Sequence, residues 1–204
     1  MFNPETGALI SDDQPTTALL RGSAFTLLSG GAEGAESEFG VCAEKWGAQE
    51  ETYSFAGRTT ARTRGLIELN EQELARGAVS RTYLQAHMHR RYPDDPDFLK
   101  VLQSIWHQVN TAGQVFIVGQ VLPDGTIKGG TGWAAELGRH LHKPVFVYDQ
   151  EQGKWFQWRN EAWRPIEPPR IVARRFCGGG TRNLNETGKR AILNLFIRSF
   201  GEAK

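Results

Sequence analysis

The sequence predicts an α/β protein: three layers, with an open, mostly parallel sheet covered by helices on both faces. Three stretches carry that reading, and each runs from a β-like segment through a glycine-rich turn into a helical pattern. They are Ala24–Leu28 into SGGAEGAE (29–36), Val115–Gly119 into KGGTGWAAE (128–136), and Arg170–Ala173 into CGGGTRN (177–183). Glycine lacks a Cβ, so such turns reach φ > 0 and let backbone N–H groups approach a ligand closely. The start of the helix that follows favours an anion. In an open sheet, turns at the carboxyl ends of strands converge on one crevice.

The 204 residues, 39% of them hydrophobic and 23% charged, suit one soluble domain with one core. A net charge of +1 gives no basic stripe for nucleic acid. Two cysteines, Cys42 and Cys177, are too few for a disulfide framework and fit a reducing compartment. No apolar run approaches the ~18 residues of a membrane span. The opening MFNPETGALISDDQ is acidic and polar, unlike a signal peptide. The expected location is cytoplasmic, with no membrane partner.

In chain order, residues 1–22 read as an extension, and residues 23–204 as a single domain. The first helix carries Phe39, Ala43 and Trp46 on one side and stops at Gly47, before a strand at Thr52–Phe55. Residues 58–67 are basic and irregular, with Arg58, Arg62 and Arg64 among threonines. They read either as solvated surface or as a mobile loop that folds over a phosphate. From Leu69 the pattern is helical. Asn70 and Glu73 form a capping box, with a pause near Gly77 and an end near Tyr92 and Pro93. His87 and His89 point to different faces and make a poor metal pair; no metal ligand set is expected.

Asp95-Pro96 opens the next helix, whose apolar positions Phe98, Val101, Leu102, Ile105, Trp106 and Val109 recur at helical spacing. A helix over Trp133–Leu141 leads to a strand at Pro144–Asp149. A small aromatic hairpin follows at about 154–166, with Trp155, Phe156, Trp158 and Trp163 as sheet cover, subunit contact or base platform. The last helix is expected over about 185–200.

The three turns carry a family resemblance. SGGAEGAE resembles the SGGAxGxD loop of the SLOG superfamily, the DprA/LOG-like Rossmann group. KGGTGWAAE resembles its GGTGW loop, and GGGTRNLNETG (178–188) resembles the Gly-Ser/Thr-Arg turn that in those proteins usually comes first. That order is similar to the circularly permuted YpsA-like branch, labelled molybdenum carriers. Glu36 stands where relatives often have Asp, Gly179 where an apolar residue is usual, and Trp133 where LOG enzymes have a smaller residue.

The resemblance implies a Rossmann-like, circularly permuted fold and a nucleotide-derived or phosphoribosyl ligand, or a phosphate-like anion. It implies binding by Ser29, Gly30, Gly31, Gly34, Glu36, Gly129, Gly130, Thr131, Gly132, Trp133, Gly180, Thr181 and Arg182. The N–H groups of Gly130, Thr131 and Gly132 would hold the phosphate. The implied function is that of a sensor or binding protein. Two alternatives accompany it. One is a LOG-like hydrolase of N-glycosidic bonds, with Glu136 and Arg182 as its catalytic residues. The other is a carrier of molybdate or another oxyanion. Relatives form dimers or larger assemblies, so a homo-oligomer is expected.

Overall fold

The computed structural model describes residues 21–89, 91 and 94–203. The expected N-terminal extension lies outside the described residues save for Arg21 and Gly22, as do Tyr92 and Pro93. Among the described residues, eight strands form one sheet in the order β3-β2-β1-β8-β4-β5-β6-β7. They are β1 Thr26–Ser29, β2 Gln49–Phe55, β3 Leu66–Leu69, β4 Gln114–Gly119, β5 Val145–Asp149, β6 Lys154–Arg159, β7 Ala162–Ile166 and β8 Arg175–Gly180. Six α-helices among the described residues cover it: α1 Ala35–Lys45, α2 Glu71–Arg76, α3 Arg81–His87, α4 Pro96–Thr111, α5 Thr131–His140 and α6 Glu186–Phe200.

Strands β3 to β5 across the centre are parallel, and β6 and β7 add an antiparallel edge. The fold is therefore α/β and Rossmann-like, as expected. Strand β4 is buried at every position, as a central parallel strand covered on both faces must be. Its side chains alternate between two cores. Val115 and Ile117 join Leu84, Leu102, Trp133 and Leu137 beneath α3 to α5; Phe116 and Val118 join Phe39, Ile192 and Phe196 beneath α1 and α6. Burying each such side chain contributes about 1.5–3 kcal/mol.

From β1 the chain moves outward through β2 to β3, crosses over, and resumes at β4 on the far side of a gap. Strand β8 fills that gap, pairing Leu27 with Phe176 on one side and Phe116 with Gly178 on the other. The sheet thus reverses its winding at its middle, where open α/β sheets form a crevice.

Several boundaries differ from the sequence reading. The final strand is Arg175–Gly180 rather than Arg170–Ala173, because Gln114 Oε1 instead accepts the N–H groups of Val172 and Ala173 at 2.7 and 2.9 Å. Gly178 to Gly180 are therefore strand, not turn. A Cβ on Gly178 would lie 2.6 Å from Phe39 Cγ and 2.8 Å from Leu27 Cδ1, so glycine is what lets α1 lie close on the sheet. A short strand β3 occupies Leu66–Leu69, where irregular chain to residue 67 and a helical pattern from Leu69 were expected.

The capping box at Asn70 and Glu73 forms with both of its bonds, and Gly77 begins a 3-10 turn between α2 and α3. Asp95 caps α4 by accepting from Phe98 N at 2.7 Å. The aromatic hairpin is continuous with the main sheet. Trp155 and Phe156 are buried, Trp163 Nε1 donates to Gly125 O at 2.8 Å, and Trp158 lies beneath the Arg139 guanidinium.

Candidate functional site: a crevice at the middle of the sheet

The turns after β1 and β8 meet, and the turn after β4 borders the same crevice. Ala35 N–H donates to Thr181 O at 3.0 Å, and Thr181 N–H to Val118 O at 2.9 Å. A Cβ on Gly34 would strike the backbone of Arg182, with its Cα at 2.6 Å, so the first and last turns pack backbone to backbone. A crevice of about 740 Å³ opens above them.

Its floor includes Glu36, Cys177 and Gly179; its rim carries Lys128, Gly129, Gly130, Thr131, Gly180, Thr181 and Arg182; its wall is the stripe Phe98, Val101, Leu102, Ile105 and Gln108 of α4. Alternation along β8 turns Cys177 and Gly179 toward the crevice and Phe176 and Gly178 toward α1. A Cβ on Gly179 would sit 3.4 Å from Ile117 Cδ1, an ordinary contact, so its hydrogen leaves floor space that a side chain would take.

The rim has an anion-binding geometry. Gly129 turns the chain at φ +71°, and Gly130 stands as N-cap of the ten-residue α5. No hydrogen bond engages the N–H groups of Gly130 and Thr131 among the described residues. Both lie where the helix dipole is positive. Lys128 and Arg182 are exposed cations of the same rim with no ion pair among the described residues.

One expected donor and several other expected binding residues are placed elsewhere. Gly132 N–H donates back to Gly129 O at 3.3 Å, and a Cβ at Gly132 would press on Ile127 O and Met88 Cε. Gly132 therefore serves close packing, not the rim. Trp133 is 1% exposed in the core behind α5. Ser29, Gly30 and Gly31 lie buried under the floor, where Ser29 Oγ accepts from Gly31 N at 3.3 Å.

The carboxylates that line the crevice are Glu36 and Glu151, not Glu136. Glu136 bonds Arg139 at 2.7 Å, has His87 Nδ1 at 3.9 Å, and is absent from the crevice lining. Arg139 in turn stacks 3.4 Å from the Trp158 ring centroid, so this carboxylate braces α5 against the hairpin.

Glu36 accepts Ala32 N–H at 2.9 Å. Burial pushes its carboxyl above the usual range, against the opposing pull of the Ala32 and Gly30 N–H groups and of Arg58 and Arg182. Arg58 is the member of the basic segment that reaches the crevice, donating to Ser104 Oγ at 3.2 Å; burial lowers its pKa below the ordinary guanidinium value. Arg62 and Arg64 are held away on the buried Glu50 at 2.8 and 2.9 Å, so that segment is a pinned loop with one inward arginine. Sequence reasoning missed Gln108, a residue 2% exposed whose Nε2 has no partner among the described residues.

Among the described residues, no three His, Cys, Asp or Glu side chains are grouped to hold a metal ion, and no helix is long and apolar enough to cross a membrane. No protein-family model matches the chain, and comparison with curated proteins and with solved structures gave no significant match.

Proposed function

We propose that the crevice binds a nucleotide-derived or phosphoribosyl ligand and that the protein acts as a binding or sensor protein. One juxtaposition carries the reading. The unengaged N–H groups at the start of α5, with Lys128 and Arg182, share a cleft with the apolar stripe of α4. The rim suits a phosphate, and the stripe suits a flat apolar ring. The resemblance to the SLOG superfamily, in its YpsA-like permuted branch, supports the same ligand class. A bare oxyanion such as molybdate would use the rim alone and leave the α4 stripe without a role.

A second reading, hydrolysis of an N-glycosidic bond, has one observation in its favour. Glu36 lines the cleft with its pKa raised by burial, the condition of a carboxyl that can hand on a proton. In that reading Glu36, rather than Glu136, is the acid and Arg182 steadies the phosphate.

The test is a thermal-shift panel. Nucleoside monophosphates should raise the melting temperature more than nucleosides, free bases or inorganic phosphate. No shift across a broad panel overturns the proposal, and an equal shift with molybdate alone favours an oxyanion carrier. Release of free base from any bound nucleotide, lost in Glu36→Gln, favours the hydrolase.

A further inference from the structure

The α4 stripe along the crevice changes character at its inner end. Phe98, Val101 and Ile105 are apolar and partly exposed; one turn further, Gln108 is almost fully buried. Its Nε2 has no hydrogen-bond partner among the described residues. A buried amide donor left in this state is rare unless a ligand or water takes it. Two charged groups converge beside it. Gln108 Nε2, Arg58 Nη2 and Glu36 Oε2 lie 3.2, 3.0 and 3.0 Å from the point where a Cβ on Gly30 would sit. The absent side chain of Gly30 is what allows the three to close together.

This cluster offers donors from Gln108 and Arg58 and an acceptor from Glu36. A second anionic group would meet the Glu36 carboxylate, and an ammonium would meet Arg58. The chemistry that suits all three is a neutral group carrying an acceptor beside a donor. The apolar stripe leading to it suits a planar ring.

Resting on the nucleotide reading above, we infer that Gln108 is a specificity-determining residue, binding the polar edge of a heteroaromatic base while the rim holds the phosphate. The sugar phosphate supplies affinity common to all such ligands, and Gln108 supplies the margin for those that carry a base.

The experiment is a pair of calorimetric titrations, with uridine monophosphate and with ribose 5-phosphate, on the wild type and on Gln108→Met. Methionine nearly matches the volume and removes an unpaired donor, so the unliganded melting temperature should hold. The wild type should bind the nucleotide about tenfold more tightly than the sugar phosphate, and the variant should lose that margin while keeping its affinity for ribose 5-phosphate. An unchanged margin in Gln108→Met, equal loss for both ligands, or no margin in the wild type overturns the inference while leaving the nucleotide site standing. Absence of binding by either ligand overturns both. As a readout on the unmutated protein, the Gln108 side-chain amide resonances should move with uridine monophosphate and not with ribose 5-phosphate. Identical behaviour with the two also contradicts the assignment.

Discussion

The N–H of Ala35 donates to the carbonyl of Thr181 at 3.0 Å, which ties the turn after β1 to the turn after β8. Both turns take their positions from strands that pair in parallel, Thr26 with Arg175 and Leu28 with Cys177. The crevice is thus assembled from both ends of the described chain, and its rim is only as firm as this junction.

Gly34 and Gly57 separate crowding from backbone strain at that junction. Their φ values are +85° and +84°, but a Cβ at Gly57 would meet nothing within 4 Å, whereas one at Gly34 would meet the Thr181 and Arg182 backbone. Gly57→Ala should cost about 1 kcal/mol from its positive φ alone. Gly34→Ala should cost roughly 3 kcal/mol and weaken ligand binding as well. Denaturant unfolding of the two variants measures the difference; equal losses would mean that the two turns do not depend on each other.

The rim and the floor can be blocked separately. Nothing lies within 4 Å of a Cβ on Gly130, so Gly130→Asp should leave the unliganded fold intact while placing an anion among the N–H donors. Gly179→Val should fill the floor, its Cβ 3.4 Å from Ile117 Cδ1. Both should abolish the nucleotide-induced thermal shift, the first by repulsion and the second by bulk. A full shift in either variant would remove that residue from the site.

Glu36 sets a pH dependence of known sign. Its folded pKa is raised by burial, so its protonated form stabilises the fold. That contribution is complete below the unfolded carboxyl value and is lost as pH rises through the folded one. Glu36→Gln mimics the protonated form and can still accept from Ala32 N. It should therefore melt higher than wild type at neutral pH, and the gap should close in acid below the unfolded value. A gap that widens in acid would contradict the assignment.

Glu136 should behave as a brace. Losing its bond to Arg139, and with it the support for the guanidinium stacked on Trp158, should cost about 1–3 kcal/mol in Glu136→Ala. Calorimetric titration of a nucleoside monophosphate should give an unchanged affinity. An affinity loss with stability intact would return Glu136 to the ligand.

The fold was legible because strand, glycine turn and helix are local patterns, and three of them in one chain leave few topologies. The glycines of β8 misled because Gly178 answers to Phe39, a partner far away in the sequence, and not to a turn. Strand β3 is short and on the sheet's edge, and Leu66, Ile67 and Glu68 are not buried, so no alternation marked it. Glu136 could be assigned to α5 but not to a face of it, because the rotation of a helix about its axis is fixed by packing. Glu36 was visible in its motif. Arg58 and Gln108, which complete its surroundings, come from a loop and a helix that only the closed sheet brings near.

The most direct test is a crystal structure with a nucleoside monophosphate. The phosphate should lie within hydrogen-bonding distance of the Gly130 and Thr131 N–H groups and the Arg182 side chain, with the base lying along Val101 and Ile105. A phosphate bound away from that rim, or a base bound outside the α4 wall, would contradict this placement.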